Sequence, residues 1–135
     1  MIFLLDTNAF SDLMREHPKV QVRLAALPPT ERVSICPIVR GEILHGLARL
    51  PTGQRKQDLE TKAARLFDAI PCEPISEVVG DHYAEIKLAR QKKGLTLDEN
   101  DLWIAASARE AGATLVTRDT DFRQIDGLIV EDWTQ

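Results

Sequence analysis

A chain of 135 residues has room for one compact domain, spanning residues 1–135, and buries roughly two-thirds of its unfolded surface without covalent staples. With 44% hydrophobic residues and no apolar run longer than five (Met1–Leu5, Leu102–Ala106), neither a membrane span nor a secretory leader is expected, but a cytoplasmic protein is. Two cysteines lack metal-ligand spacing, and the net charge of −4 argues against a nonspecific nucleic-acid coat, though not against an enzyme that meets a polyanion through bound metal.

The first apolar run, Ile2–Leu5, is short and continuous, which predicts a strand buried on both faces. Thr7 or Asn8 then caps a short helix to about Arg15, and Pro18 opens another with Val20, Leu24 and Leu27 at helical spacing. Pro28 and Pro29 end it. A strand at Val33–Ile35 precedes a helix from Pro37 to about Leu50, and Pro51 and Gly53 separate that from a helix over about Arg55–Ala69. Cys72–Ile75 reads as a third strand. Helices follow over Glu77–Lys93 and 98–111, stopped by Gly94 and Gly112, then a buried strand at Thr114–Thr117 and an edge strand at Leu128–Asp132. Strands alternating with helices imply βαβ units, hence an α/β fold of three layers with a mostly parallel central sheet flanked by helices.

In such sheets ligands bind beyond the carboxyl ends of the strands. Asp6 stands directly after the first strand and Asp119 two residues after Thr117, with Asp121 close behind. Glu42 and Asp101 sit in helices among apolar neighbours, where an unpaired charge is costly to bury. Each acid also has an ordinary structural reading. Asp6 suits a helix cap, Asp101 the last residue of a capping box begun at Asp98, Glu42 the rim of an amphipathic helix, and Asp119 and Asp121 a turn before Phe122. If the fold gathers them, three or four carboxylates cannot all stay ionised alone, and a divalent cation resolves the conflict. The chemistry implied is metal-dependent hydrolysis of a phosphodiester.

The segments LLDTNAF, IVRGEILHGL, ENDLWIAASAREAGATLVTRDTDF and GLIVEDW together resemble a PIN domain, over Ile2 to Trp133. More narrowly they are similar to the VapC-like toxin ribonucleases of bacterial toxin–antitoxin pairs. That resemblance implies an acidic quartet at Asp6, Glu42, Asp101 and Asp119, with Asp121 auxiliary and with Asn8 and Thr117 shaping the pocket. It implies Mg²⁺ (Mn²⁺ substituting) on Asp6, Asp101 and Asp119, the first two the best candidates for direct ligation; Asp98, three residues before Asp101 at the helix start, reads from its position as a cap. The resemblance further implies an endoribonuclease active on RNA, usually a homodimer, silenced by a small VapB-like antitoxin that places an Arg near Asp6 and Asp101.

Other readings remain open on the residues. One is a PIN-type nuclease of RNA processing without an antitoxin, another a binding module without catalysis. A phosphatase of the haloacid dehalogenase type also opens on a strand and an Asp, but it wants a second Asp where this chain has Asn8. Two basic groups, Arg49, Arg55, Lys56, Lys62 and Arg65, then Lys87, Arg90, Lys92 and Lys93, are candidates to grip RNA phosphates. Against that, they read as solvated helix faces with pairs such as Asp58–Lys62. His45, one turn beyond Glu42, is close enough in sequence to approach the site. Trp103 and Phe122 read as core, and Leu13, Ile38, Val39 and Leu47 as either core or an apolar contact surface.

Overall fold

A computed structural model describes all 135 residues. Four strands, β1 (Ile2–Leu5), β2 (Arg32–Ser34), β3 (Thr114–Val116) and β4 (Ile129–Glu131), form one sheet in the order β2-β1-β3-β4. Every pairing is parallel, with Leu4 opposite both Ser34 and Leu115, and Thr114 opposite Ile129. Six helices flank it: α1 (Thr7–Met14), α2 (Pro18–Ala25), α3 (Pro37–Ala48), α4 (Gln54–Ala69), α5 (Glu77–Lys92) and α6 (Glu99–Glu110).

Successive residues of a strand point to opposite faces. Phe3, Leu4 and Leu5 are all buried, as are Thr114, Leu115 and Val116, so both faces of the central pair are covered. That makes three layers. α1 packs on β1 and meets α2, α3 and α4; α6 packs on β3 and pairs closely with α5. The run Ile104, Ala105, Ala106 and Ala108 is wholly buried, and its small side chains bring α6 close to its neighbours. A single core cluster of 29 residues runs through these layers.

From β1 the chain crosses to β2 on one side, and from β3 to β4 on the other. The β1/β3 boundary is therefore where the winding reverses, and where a parallel sheet opens a crevice at its carboxyl edge.

The Cys72–Ile75 segment is not a strand. It contributes one bridge, Ile35 to Cys72, with hydrogen bonds from Ile35 to Pro71 and from Glu73 to Ile35. Pro71 on this segment and Pro37 after β2 carry no N–H, so the ladder cannot extend past this pair in either direction. The first helix is capped by Asp6 rather than by Thr7 or Asn8, because Asp6 Oδ1 accepts from the Ala9 amide at 2.8 Å. A 3₁₀ turn at Thr120–Gln124 follows Asp119 where only a turn was expected.

The basic groups are partly structural. Arg90 is buried and donates to the carbonyls of Thr96 (2.9 Å) and Asp121 (3.3 Å), tying α5 to both loops beside β3, so it cannot hold a phosphate. Lys87 pairs with Glu99, Lys62 with Glu16 at 3.5 Å, and Asp58 accepts from Gln54 rather than from Lys62. Leu13, Val39 and Leu47 are core, leaving only Ile38 of that quartet partly accessible, while Phe122 is buried and Trp103 stacks on Tyr83 at 4.1 Å.

Arg90→Gln removes the buried guanidinium that ties the Thr96 and Asp121 carbonyls to α5. It is expected to lower the unfolding free energy by about 2–3 kcal/mol in urea titration, well beyond an exposed Lys92→Gln.

Candidate active site at the carboxyl edge of the sheet

Asp6 leaves β1 into the crevice and at once caps α1, so its carboxylate meets the free amides and partial positive charge of a helix start. It is 4% exposed. Burial pushes its carboxyl above the usual range, while the Thr117 hydroxyl and the Ala9 N–H pull it back. Thr117, at the end of β3, also accepts from the Asp119 amide at 3.0 Å, so one buried hydroxyl serves both strand ends. Asp119 in turn caps the 3₁₀ turn, accepting from the Asp121 amide at 2.9 Å. The carboxylate of Asp121 belongs to an exposed residue; its amide is what joins it to the site.

Glu42 arrives from α3. One carboxylate oxygen accepts from the Thr7 hydroxyl at 2.6 Å, and the other faces the Asn100 amide at 3.4 Å. Three helices thus meet at one side chain. Asp101, in the first turn of α6, lies at the centre of the charge. Its carboxyl is pushed up to about 6, first by partial burial, then by the negative charges of Asp98, Glu42, Asp119 and Asp6. The fold therefore gathers the acids at Asp6, Glu42, Asp101 and Asp119, with Asp98 beside them.

Asp98 accepts from the Asn100 amide only at 3.4 Å, a weak cap, and stands first among the charges acting on Asp101. Glu99 turns away, bonded to Lys87 and Tyr83 of α5, which hold its carboxyl below the ordinary value. Asn8 is exposed on the first turn of α1. His45 lines a groove beside Glu42 with Thr7, Arg49 and Asn100. Sequence reading passed over Thr7 and Asn100 as partners of Glu42. The only local signals were their places beside Asp6 and Asp101, and pairing across 35 and 58 residues leaves no periodicity to detect. Arg118, 3.3 Å from Asp12, flanks Asp6 and opposes its rise.

As the side chains stand, no three of His, Cys, Asp or Glu close around one point as a ready-made metal cage. The arrangement is an open, oxygen-only pit with more negative charge than local cations offset.

A parallel three-layer sheet whose winding reverses at a pit of acids makes this an α/β protein with its candidate site at the carboxyl edge of the sheet. The PIN domain model matches residues 3–128, and the chain belongs to that family. It is 30% identical to Ribonuclease VapC2 of Rickettsia felis over 98% of both chains. To Toxin FitB of Neisseria gonorrhoeae it is 32% identical, over 98% of this chain and 99% of the other. Among solved structures it is similar to VapBC2 of Rickettsia felis, bound to a DNA fragment from its promoter. That match has a TM-score of 0.89 and 29% identity, over 98% and 99% of the two chains.

Because Asp101 binds its proton more tightly folded than unfolded, the ionised group opposes folding. The penalty is absent below its unfolded value near 3.8, grows as pH rises, and is complete above about 6. In chelator-treated protein, Asp101→Asn is expected to melt a few degrees above the parent near pH 7.5, the gap shrinking to about a third by about pH 4.5 and closing only below the unfolded value near 3.8. Thermal melts at both pH values read it directly.

Proposed function

We propose that the protein is a divalent-cation-dependent endoribonuclease that hydrolyses RNA phosphodiester bonds and acts as the toxin of a toxin–antitoxin pair. The observation that carries this reading is the gathering of Asp6, Glu42, Asp101 and Asp119 at the β1/β3 crevice, where partial burial, and after it the charges of Asp98, Glu42, Asp119 and Asp6, lift Asp101 to about 6. The names of relatives as ribonucleases and as a toxin support the substrate and the role. The Rickettsia felis neighbour, solved as VapBC2, supports a protein partner.

The donor set fits Mg²⁺ or Mn²⁺. It offers oxygens only, and Mg²⁺ takes one or two carboxylates while keeping several waters, so an open pit suits it better than a closed cage. Asp6 and Asp101 would hold the ion directly, with Asp119 completing the set. When bound, such an ion supplies an activated water and offsets charge developing on the phosphoryl oxygens. The chain's own part is positional. Thr117 holds the carboxylate of Asp6 and the backbone of Asp119 at fixed places, and Asn8 adds a polar group at the mouth. Glu42, its oxygens pinned by Thr7 and Asn100, keeps its carboxylate at the edge of the pit.

A carboxylate pit is best blocked by a cation on a flexible segment. The bidentate and permanently charged guanidinium of an antitoxin Arg near Asp6 and Asp101 would serve. A homodimer and a cytoplasmic site of action complete the proposal; no helix is long and apolar enough to cross a membrane.

Purified protein with Mg²⁺ is expected to leave 5′-phosphate and 3′-hydroxyl ends on RNA. EDTA stops the reaction, and Asp101→Asn lowers it by more than about a hundredfold. Millimolar Mg²⁺ should also raise the melting temperature of the parent more than that of Asp101→Asn. Products ending in 2′,3′-cyclic phosphate, or activity that survives EDTA, refute the mechanism.

Induction of the chain alone is expected to arrest bacterial growth. Co-expression of an adjacent short gene should restore it, and Asp6→Asn should be harmless yet still bind that gene's product. Normal growth without a partner moves the RNA-processing reading ahead.

A further inference from the structure

A polar groove of about 580 Å³ leads away from Glu42 along the exposed side of α3. Thr7, His45, Arg49 and Asn100 line it together with Gly41 and Gly46. Glu42, His45 and Arg49 fall at i, i+3 and i+7, one face of the helix. From Glu42 to Arg49 the axis advances about 10 Å, near the rise of three stacked nucleotides. His45 and Arg49 are exposed, and neither is bound into any ion pair of the structure.

The two glycines are the second observation. Glycine weakens a helix relative to alanine, and nothing in the chain demands it at either place. Neither Gly41 nor Gly46 has positive φ, and a Cβ built on either meets no atom within 4 Å. An occupant of the groove would therefore meet bare helix backbone at these two places.

We infer that this groove holds the RNA strand on one side of the cleaved phosphate. Arg49 and His45 bind backbone phosphates where the strand runs against the bare helix at Gly41 and Gly46. Arg suits this because its planar fork matches phosphate oxygens. The inference rests on the ribonuclease reading above and names the path of its substrate.

The test is steady-state cleavage of a short single-stranded RNA by the full-length protein with Mg²⁺. Arg49→Gln and Gly46→Ala are each expected to raise KM about five- to twentyfold, with the loss falling on KM rather than kcat. Arg49→Lys recovers most of it, and Arg49→Gln lowers the salt slope of kcat/KM by about one. Gly46→Ala should meanwhile melt about 2–4 °C higher, so its loss of affinity is not a loss of fold. Lys19→Gln, on α2 and outside the groove, serves as the charge control and changes neither constant. Unchanged KM in both groove variants overturns the inference. So does a Gly46→Ala protein that changes oligomeric mass while keeping its KM, which makes this face a protein contact. If the parent cleaves no RNA, the ribonuclease reading itself fails; the same variants are then scored by anisotropy with labelled RNA, where equal binding by all overturns the groove as well.

Discussion

The structure turns on one buried carboxylate. Asp6 sits at the end of the innermost strand, 4% exposed, where an uncompensated charge would be expensive. It is tolerated because three local arrangements converge on it. α1 begins there and offers its free amides, Thr117 reaches it from β3, and Arg118 stands near with Asp12. The same constraint explains why β1 and β3 are adjacent and end level, since Leu5 opposite Val116 puts Asp6 and Thr117 side by side.

The surrounding acids follow a common pattern. Asp6, Asp98 and Asp119 each cap a helical turn, and Asp101 lies in the first turn of α6. Helix starts supply partial positive charge without adding cations that would neutralise the pit. Where this falls short, at Asp101, the carboxyl rises to about 6. Glu99, two residues from Asp101, is drawn off by Lys87 and Tyr83, which keeps one more carboxylate out of the cluster.

Much of this was legible in the sequence, and the boundary of legibility is physical. β1, β3, α3 and α6 were visible because short apolar runs and helical stretches end sharply at acids, prolines or glycines. The meeting of Asp6 with Asp119 followed from the rule for parallel sheets. Cys72–Ile75 misled because its residue types suit a strand, whereas Pro71 and Pro37 decide the hydrogen bonding. Thr7 looked like a cap because its hydroxyl is as good an acceptor as any; its true partner, Glu42, lies 35 residues on. Arg90 looked like its basic neighbours, and only tertiary structure shows it enclosed by two loops.

The tie of Thr7 and Asn100 to Glu42 has a consequence for synthesis. Residues drawn from the first, third and sixth helices, with Asp119 beyond them, come together only when most of the chain is present. Such non-local closure is slow relative to helix formation. A ribosome-bound nascent chain that has not yet reached Asp119 cannot carry all four acids, so the pit forms late in synthesis or after it.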